Sequence, residues 1–120
     1  MTPGIQTLEG QVNQQLEKLT GYRLMVETSG NNHFVKYETR SGKQLYPYNV
    51  GTGVSFITEV IIACFATPKG GLVIIENPEI HLHPKAQADL IDLMAQIAKA
   101  GVQIIIESHS DHLFNGIRRL

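Results

Sequence analysis

Two groups of ionisable side chains close two apolar runs in this 120-residue chain. Glu76, Glu79, His81 and His83 follow "GLVII", and Glu107, His109, Asp111 and His112 follow "VQIII". Carboxylates in such positions hold divalent cations or position a water for attack. Imidazoles exchange protons near neutral pH and hydrogen-bond to reacting oxygens. A buried acid must be paired or hydrated, so Glu76 is expected to serve chemistry rather than packing.

The elements that present these groups follow from the apolar pattern. "GLVIIE" and "VQIIIES" read as fully buried parallel strands. Between them Pro84 opens a helix, with Leu90, Met94, Ile97 and Ala98 facing inward and Gly101 as its cap. Strand, helix and strand form a βαβ unit, for which a right-handed crossover is expected. In open parallel sheets ligands bind beyond the carboxyl ends of the strands, the edge where both groups fall. Ser110 is expected to cap a last helix beginning with Asp111 and His112.

Upstream, "SFITEVIIACFAT" is apolar almost all round and predicts a buried helix stopped by Pro68. The glycine-bearing "NVGTGVSF" reads as a loop leading into it, with Ser55 as a cap. Free N–H groups at that helix start favour an anion. The first 48 residues differ in character. Ile5, Leu8, Val12, Leu16 and Leu19 predict an amphipathic helix starting at Thr2–Pro3 and stopped by Gly21. "YRLMVET" and "HFVKYETR" alternate around "SGNN", a β-hairpin. "SGK" is a second turn, and "QLYPY" a short edge strand or loop, since Pro47 resists a central strand. The expected fold class is therefore α/β: a helix and meander over 1–48, then a parallel βαβ lobe over 49–120.

Composition narrows the setting. With 42% hydrophobic and 18% charged residues, the chain suits a soluble domain with a modest core. A net charge of -1 gives no broad basic field for nucleic acid. The single cysteine, Cys64, excludes a disulfide framework, reads as a small core residue, and fits a reducing, cytoplasmic setting. The N-terminus is polar, without a signal-peptide pattern, and the longest apolar run, Val60 to Ala66, is too short to cross a bilayer.

Three pieces now stand in order: "NVGTGVSF", "LVIIENPEIHLHP" and "IIIESHSDHLFNGIRR". Together, over Asn49 to Arg119, they resemble the C-terminal half of ABC-type ATPase domains. The stand-alone ATPases related to the RecF, chromosome-maintenance and overcoming-lysogenisation-defect proteins are the nearer resemblance. It implies a P-loop NTPase fold, ATP and Mg²⁺ as cofactors, and hydrolysis at a dimer interface. Glu76 then matches the Walker B acid that serves Mg²⁺. Asn77 stands where that family has a second acid, and Glu79 is a substitute base. His109 matches the switch histidine at the γ-phosphate. Gly51, Gly53 and Ser55 match the signature loop, which closes on ATP bound to a partner. Nucleic acid as a partner follows from family analogy alone, and no membrane is implied.

The same resemblance calls for a P-loop, G-x-x-x-x-G-K-[ST]. "SGNNHFVKYETRSGK" has the wrong glycine spacing, with Gln44 after Lys43, and "TPKGG" is reversed. The chain is thus expected to be the C-terminal lobe of a larger ATPase, inactive alone and completed by a homodimer or a P-loop-bearing segment or chain. One alternative is a non-enzymatic, degenerate lobe that pairs with a P-loop-bearing partner. Another is a metal-dependent hydrolase built on "HLH" and "HSDH". No HExxH is present for the latter.

Overall fold

The computed structural model of the chain describes residues 7–109. The chain divides into two compact units between Thr58 and Glu59.

In the first unit, α1 (Leu8–Thr20) precedes an antiparallel meander of β1 (Tyr22–Ser29), β2 (Asn32–Thr39) and the two-residue β3 (Gln44–Leu45). The helix α1 is capped at Thr7, which is extended and whose Oγ1 accepts from the Gly10 N–H at 3.0 Å, while Thr2–Pro3 and Ile5 lie outside the described residues. Gly21 stops the helix as expected, at φ 81°, where its N–H donates to the Glu17 carbonyl. Gly30, at φ 61°, turns the two-residue hairpin between β1 and β2.

Val12 and Leu16 are buried on α1 as its periodicity predicts, but Leu8 is exposed. Asn13, outside the apolar stripe, is buried instead. Its Nδ2 donates to the Leu24 carbonyl at 3.0 Å, and its Oδ1 accepts from the Leu24 N–H at 2.7 Å. One side chain thus answers both outward-facing backbone groups of a residue on an edge strand. On β2 the buried Tyr37 donates its hydroxyl to Thr58 Oγ1 at 2.9 Å, and Thr58 in turn donates to the Val54 carbonyl. A 3-10 turn, Pro47–Asn49, follows β3, consistent with the proline's refusal to extend the strand.

The helix α2 (Thr52–Ala66) holds the division between the units. Ile57, Thr58, Val60, Ile61 and Cys64 are buried, while Glu59 and Ile62 are exposed, so the helix is not apolar-packed all round as expected.

The second unit contains the βαβ motif. Strands β4 (Leu72–Glu76) and β5 (Gln103–Glu107) pair in parallel, joined by α3 (Pro84–Lys99). The α3 face is as the period predicts for Leu90, Met94 and Ile97, with Gln87, Ile91 and Leu93 added. Ala98 is exposed, which corrects its inward assignment, while Gly101, left-handed at φ 100°, ends the helix as expected, and the Val102 N–H donates back to the Ile97 carbonyl at 3.4 Å. The strands also differ from expectation. Val73 and Ile75 are buried, but Leu72, Ile74 and Ile105 are 47%, 59% and 53% exposed. An all-apolar strand reads as buried on both sides, whereas among the described residues only one face of this sheet is covered.

Candidate functional site

Of the expected site residues, Glu76 ends a strand of the parallel sheet, Asn77 and Glu79 follow it, and His109 follows the neighbouring strand. The ladder pairs Leu72 with Gln103 and continues in step to Glu76 with Glu107. Paired residues in a parallel ladder share a face, so both carboxylates leave adjacent strands on one side. Both glutamates are exposed. This corrects the sequence argument for Glu76, which assumed a buried acid.

Beyond Glu76 the chain turns sharply. Asn77 takes φ 45° and ψ 54°, the one non-glycine in the left-handed region among the described residues. Asparagine tolerates this conformation better than other L-residues. Its N–H donates to the Glu107 carbonyl at 2.6 Å, tying the two strand exits together. Its Oδ1 is buried and has no hydrogen-bond partner among the described residues. A buried acceptor left in this way is uncommon and invites a donor from outside the described residues.

The following loop is firmly held. Pro78 begins a 3-10 turn, Pro78–Ile80, and is fully buried, and its carbonyl accepts from the N–H groups of His81 and Leu82 at 3.1 Å. Glu79 lies within that turn. Leu82 is buried, and its carbonyl accepts from Gln87 Nε2 at 2.8 Å. His81 and His83 flank Leu82 and are exposed. His83 caps α3, its Nδ1 accepting from the Ala86 N–H at 3.3 Å, with Pro84 in the first turn. Histidine is an unusual cap, and Nδ1 accepts only when it carries no proton.

His109 follows β5 by two residues and is exposed, while Asp111 and His112, with the Ser110 cap, lie outside the described residues. Among the described residues no three His, Cys, Asp or Glu side chains gather to hold a metal ion. For Mg²⁺ the requirement is lighter. That ion keeps several waters and takes one or two carboxylates, a demand the exposed Glu76 at the strand end fits.

Gly51, Gly53 and Ser55 stand at the start of α2. The helix begins at Thr52, so Gly53 and Ser55 lie inside its first turn, and Ser55 is not the cap. The Gly51 carbonyl instead accepts from Val54 and Ser55 N–H groups at 3.1 and 3.2 Å. A Cβ placed on Gly51 would meet nothing within 4 Å, and its φ is not left-handed. Neither conformation nor packing within the described residues requires glycine there.

Two further features lie apart from these residues. Cys64 is buried, and that burial raises its thiol pKa, which makes it a poor nucleophile. An open cleft of about 550 Å³ in the first unit is lined by Gly10, Gln14, Glu17, Lys18, Arg23 and Arg40. Glu17 pairs with Arg23 at 3.2 Å and Arg40 at 4.0 Å. None of the expected site residues lines it. No helix among the described residues is long and apolar enough to cross a membrane.

Comparison with known proteins places this geometry. Among solved structures, the chain is similar to one from the structural biochemistry of ATP-driven dimerisation and DNA-stimulated activation of SMC ATPases. That match has TM-score 0.72 and 12% identity, and covers 91% of this chain and 71% of the other. It is similar also to the SMC head with an extended coiled coil bound to the C-terminal domain of ScpA from Pyrococcus furiosus. There the TM-score is 0.71 and the identity 14%, with 91% of this chain and 29% of the other covered. The SMC head domain from Thermotoga maritima matches with TM-score 0.67 and 11% identity, over 92% of this chain and 40% of that one. Beyond the first of these, the chain spans well under half of the structures it matches. At such identities the likeness shows the fold, that of the P-loop NTPase heads. No curated protein matches. A family model described as "AAA domain, putative AbiEii toxin, Type IV TA system" matches residues 2–115, nearly the whole chain, and the chain belongs to this family of AAA-type ATPase domains.

Proposed function

We propose that this chain supplies the C-terminal portion of an ABC-like ATP-hydrolysing enzyme, whose P-loop comes from another segment or chain. The observation that carries the reading is the in-step pairing of β4 and β5. It delivers Glu76 and the Glu107–Ser108–His109 segment to one end of one sheet. Glu76 serves the Mg²⁺ that accompanies ATP. The cation, when bound, offsets charge on the phosphates. Asn77 orients water through its unpartnered Oδ1, with Glu79 as the adjacent acid. His109 contacts the γ-phosphate or the water. Gly51, Gly53 and Ser55 form the signature loop, which approaches ATP held by a partner. Among the described residues nothing lies within 4 Å of a Cβ built on Gly51, which leaves room for such an approach.

The exposed apolar face of β4 and β5 supports incompleteness in the same way. Leu72, Ile74 and Ile105 would be covered by the P-loop-bearing lobe. A P-loop supplies most of the phosphate contacts, so this chain alone binds ATP weakly and does not turn it over. DNA stimulation is described for an SMC relative, and nucleic acid as an activator here is a proposal by that analogy.

The test is titration of a labelled non-hydrolysable ATP analogue with Mg²⁺, first into this chain and then into its mixture with the P-loop-bearing segment. The expected result is no binding alone, binding with the segment, and loss of ATP turnover in Glu76→Gln. Tight binding by this chain alone, abolished in Glu76→Ala, would overturn the need for a separate P-loop. Binding with the segment but no turnover in any condition would favour a non-enzymatic lobe.

A further inference from the structure

We infer that Glu107 takes the proton of the attacking water, an assignment that rests on the ATP-hydrolysing reading above. The residue after the cation-binding Glu76 is an amide. Asn77 can orient a water by accepting from it, but an amide takes no proton at neutral pH. The group that receives it has to be a carboxylate standing at the same strand end.

The structure brings Glu107 to that place by three constraints. Its backbone pairs in register with Glu76, on a strand about 4.8 Å away. The two side chains share the uncovered face, and both are exposed. The Glu107 carbonyl accepts from the Asn77 N–H at 2.6 Å, which holds the Asn77 backbone beside the same strand exit. His109 lies two residues further along. The work is then divided: Glu76 serves the cation, Asn77 Oδ1 orients the water and Glu107 accepts the proton.

The step balances as follows. The water oxygen forms a bond to the γ-phosphorus, and the bond from that phosphorus to the β,γ-bridging oxygen breaks. The electron pair leaves with ADP. One water proton moves to a Glu107 carboxylate oxygen and then returns to solvent, leaving inorganic phosphate.

The test uses this chain assembled with its P-loop-bearing segment. Glu107→Gln should lower turnover roughly 100-fold or more, the usual scale for a lost general base. Binding of the non-hydrolysable analogue should be unchanged, and ATP should hold the assembly in its dimeric form on sedimentation. Glu107→Asp should retain part of the rate, and Asn77→Glu placed on Glu107→Gln should restore part of it. Because Glu107 is exposed, the glutamine variant is expected to melt with the wild type. Wild-type turnover in Glu107→Gln, or an equal loss of analogue binding, overturns the inference. So does finding the loss in Glu79→Gln instead. If the wild-type assembly turns over no ATP, or Glu76→Gln keeps full turnover, the reading of the site itself falls.

Discussion

Strands β1 and β4 meet their open sides in opposite ways. On β1, an edge strand, Asn13 reaches from α1 and answers both outward backbone groups of Leu24. On β4, Leu72 and Ile74 are exposed, and Asn77 just beyond keeps a buried acceptor without a partner among the described residues. The first unit spends a buried polar side chain on closing its own edge. The second leaves apolar surface and hydrogen-bonding capacity for something outside the described residues. The difference separates a region that is finished locally from one shaped to be completed.

The largest effect should come from undoing the closure of β1. Asn13→Ala leaves the Leu24 N–H and carbonyl without partners, each worth about 1–3 kcal/mol when buried. A urea melt should show a loss of roughly 2–4 kcal/mol, and hydrogen exchange should quicken at the Leu24 amide. A melt that matches the wild type would mean that water satisfies this edge, and the contrast with β4 would shrink. The helix start beside the site should respond less. His83→Ala removes the α3 cap, at a cost of about 1 kcal/mol, while His83→Ser should hold stability. If both variants behave alike, the imidazole contributes nothing as a cap.

The smallest effect on this chain's own stability should come from its bare sheet. Ile74→Thr with Ile105→Thr should change the melt by only about 0.5 kcal/mol per site, as exposed positions do. The same pair should weaken capture of the P-loop-bearing segment in a pull-down or titration. A large loss of stability in the chain alone would show that this face is already packed.

The sequence made some of this legible and hid the rest for physical reasons. The hairpin and the βαβ unit were visible because alternation, glycine turns and branched apolar runs are local signals. The carboxyl-end placement of Glu76 and His109 followed from the parallel order alone. The bare face of β4 did not, since "LVIIE" reads the same whether its second side is covered by this chain or by another. Asn13 was missed because a polar residue off the apolar stripe looks solvated until β1 is placed beside it. The Ser55 cap failed because α2 winds one turn earlier than the apolar run suggests, taking in Thr52 and Gly53. Glu107 was seen as an acid at the edge, but its step-for-step pairing with Glu76 required the register.

The two-stranded parallel sheet has a practical consequence for handling the protein. Among the described residues, neither outer edge of β4–β5 has a strand partner. "LVII" and "QIII" are rich in β-branched residues, proline-free and uncharged, the composition from which intermolecular strand ladders grow. A polypeptide with these edges open will tend to self-associate as its concentration rises. Co-expression with the P-loop-bearing segment should therefore raise its soluble yield.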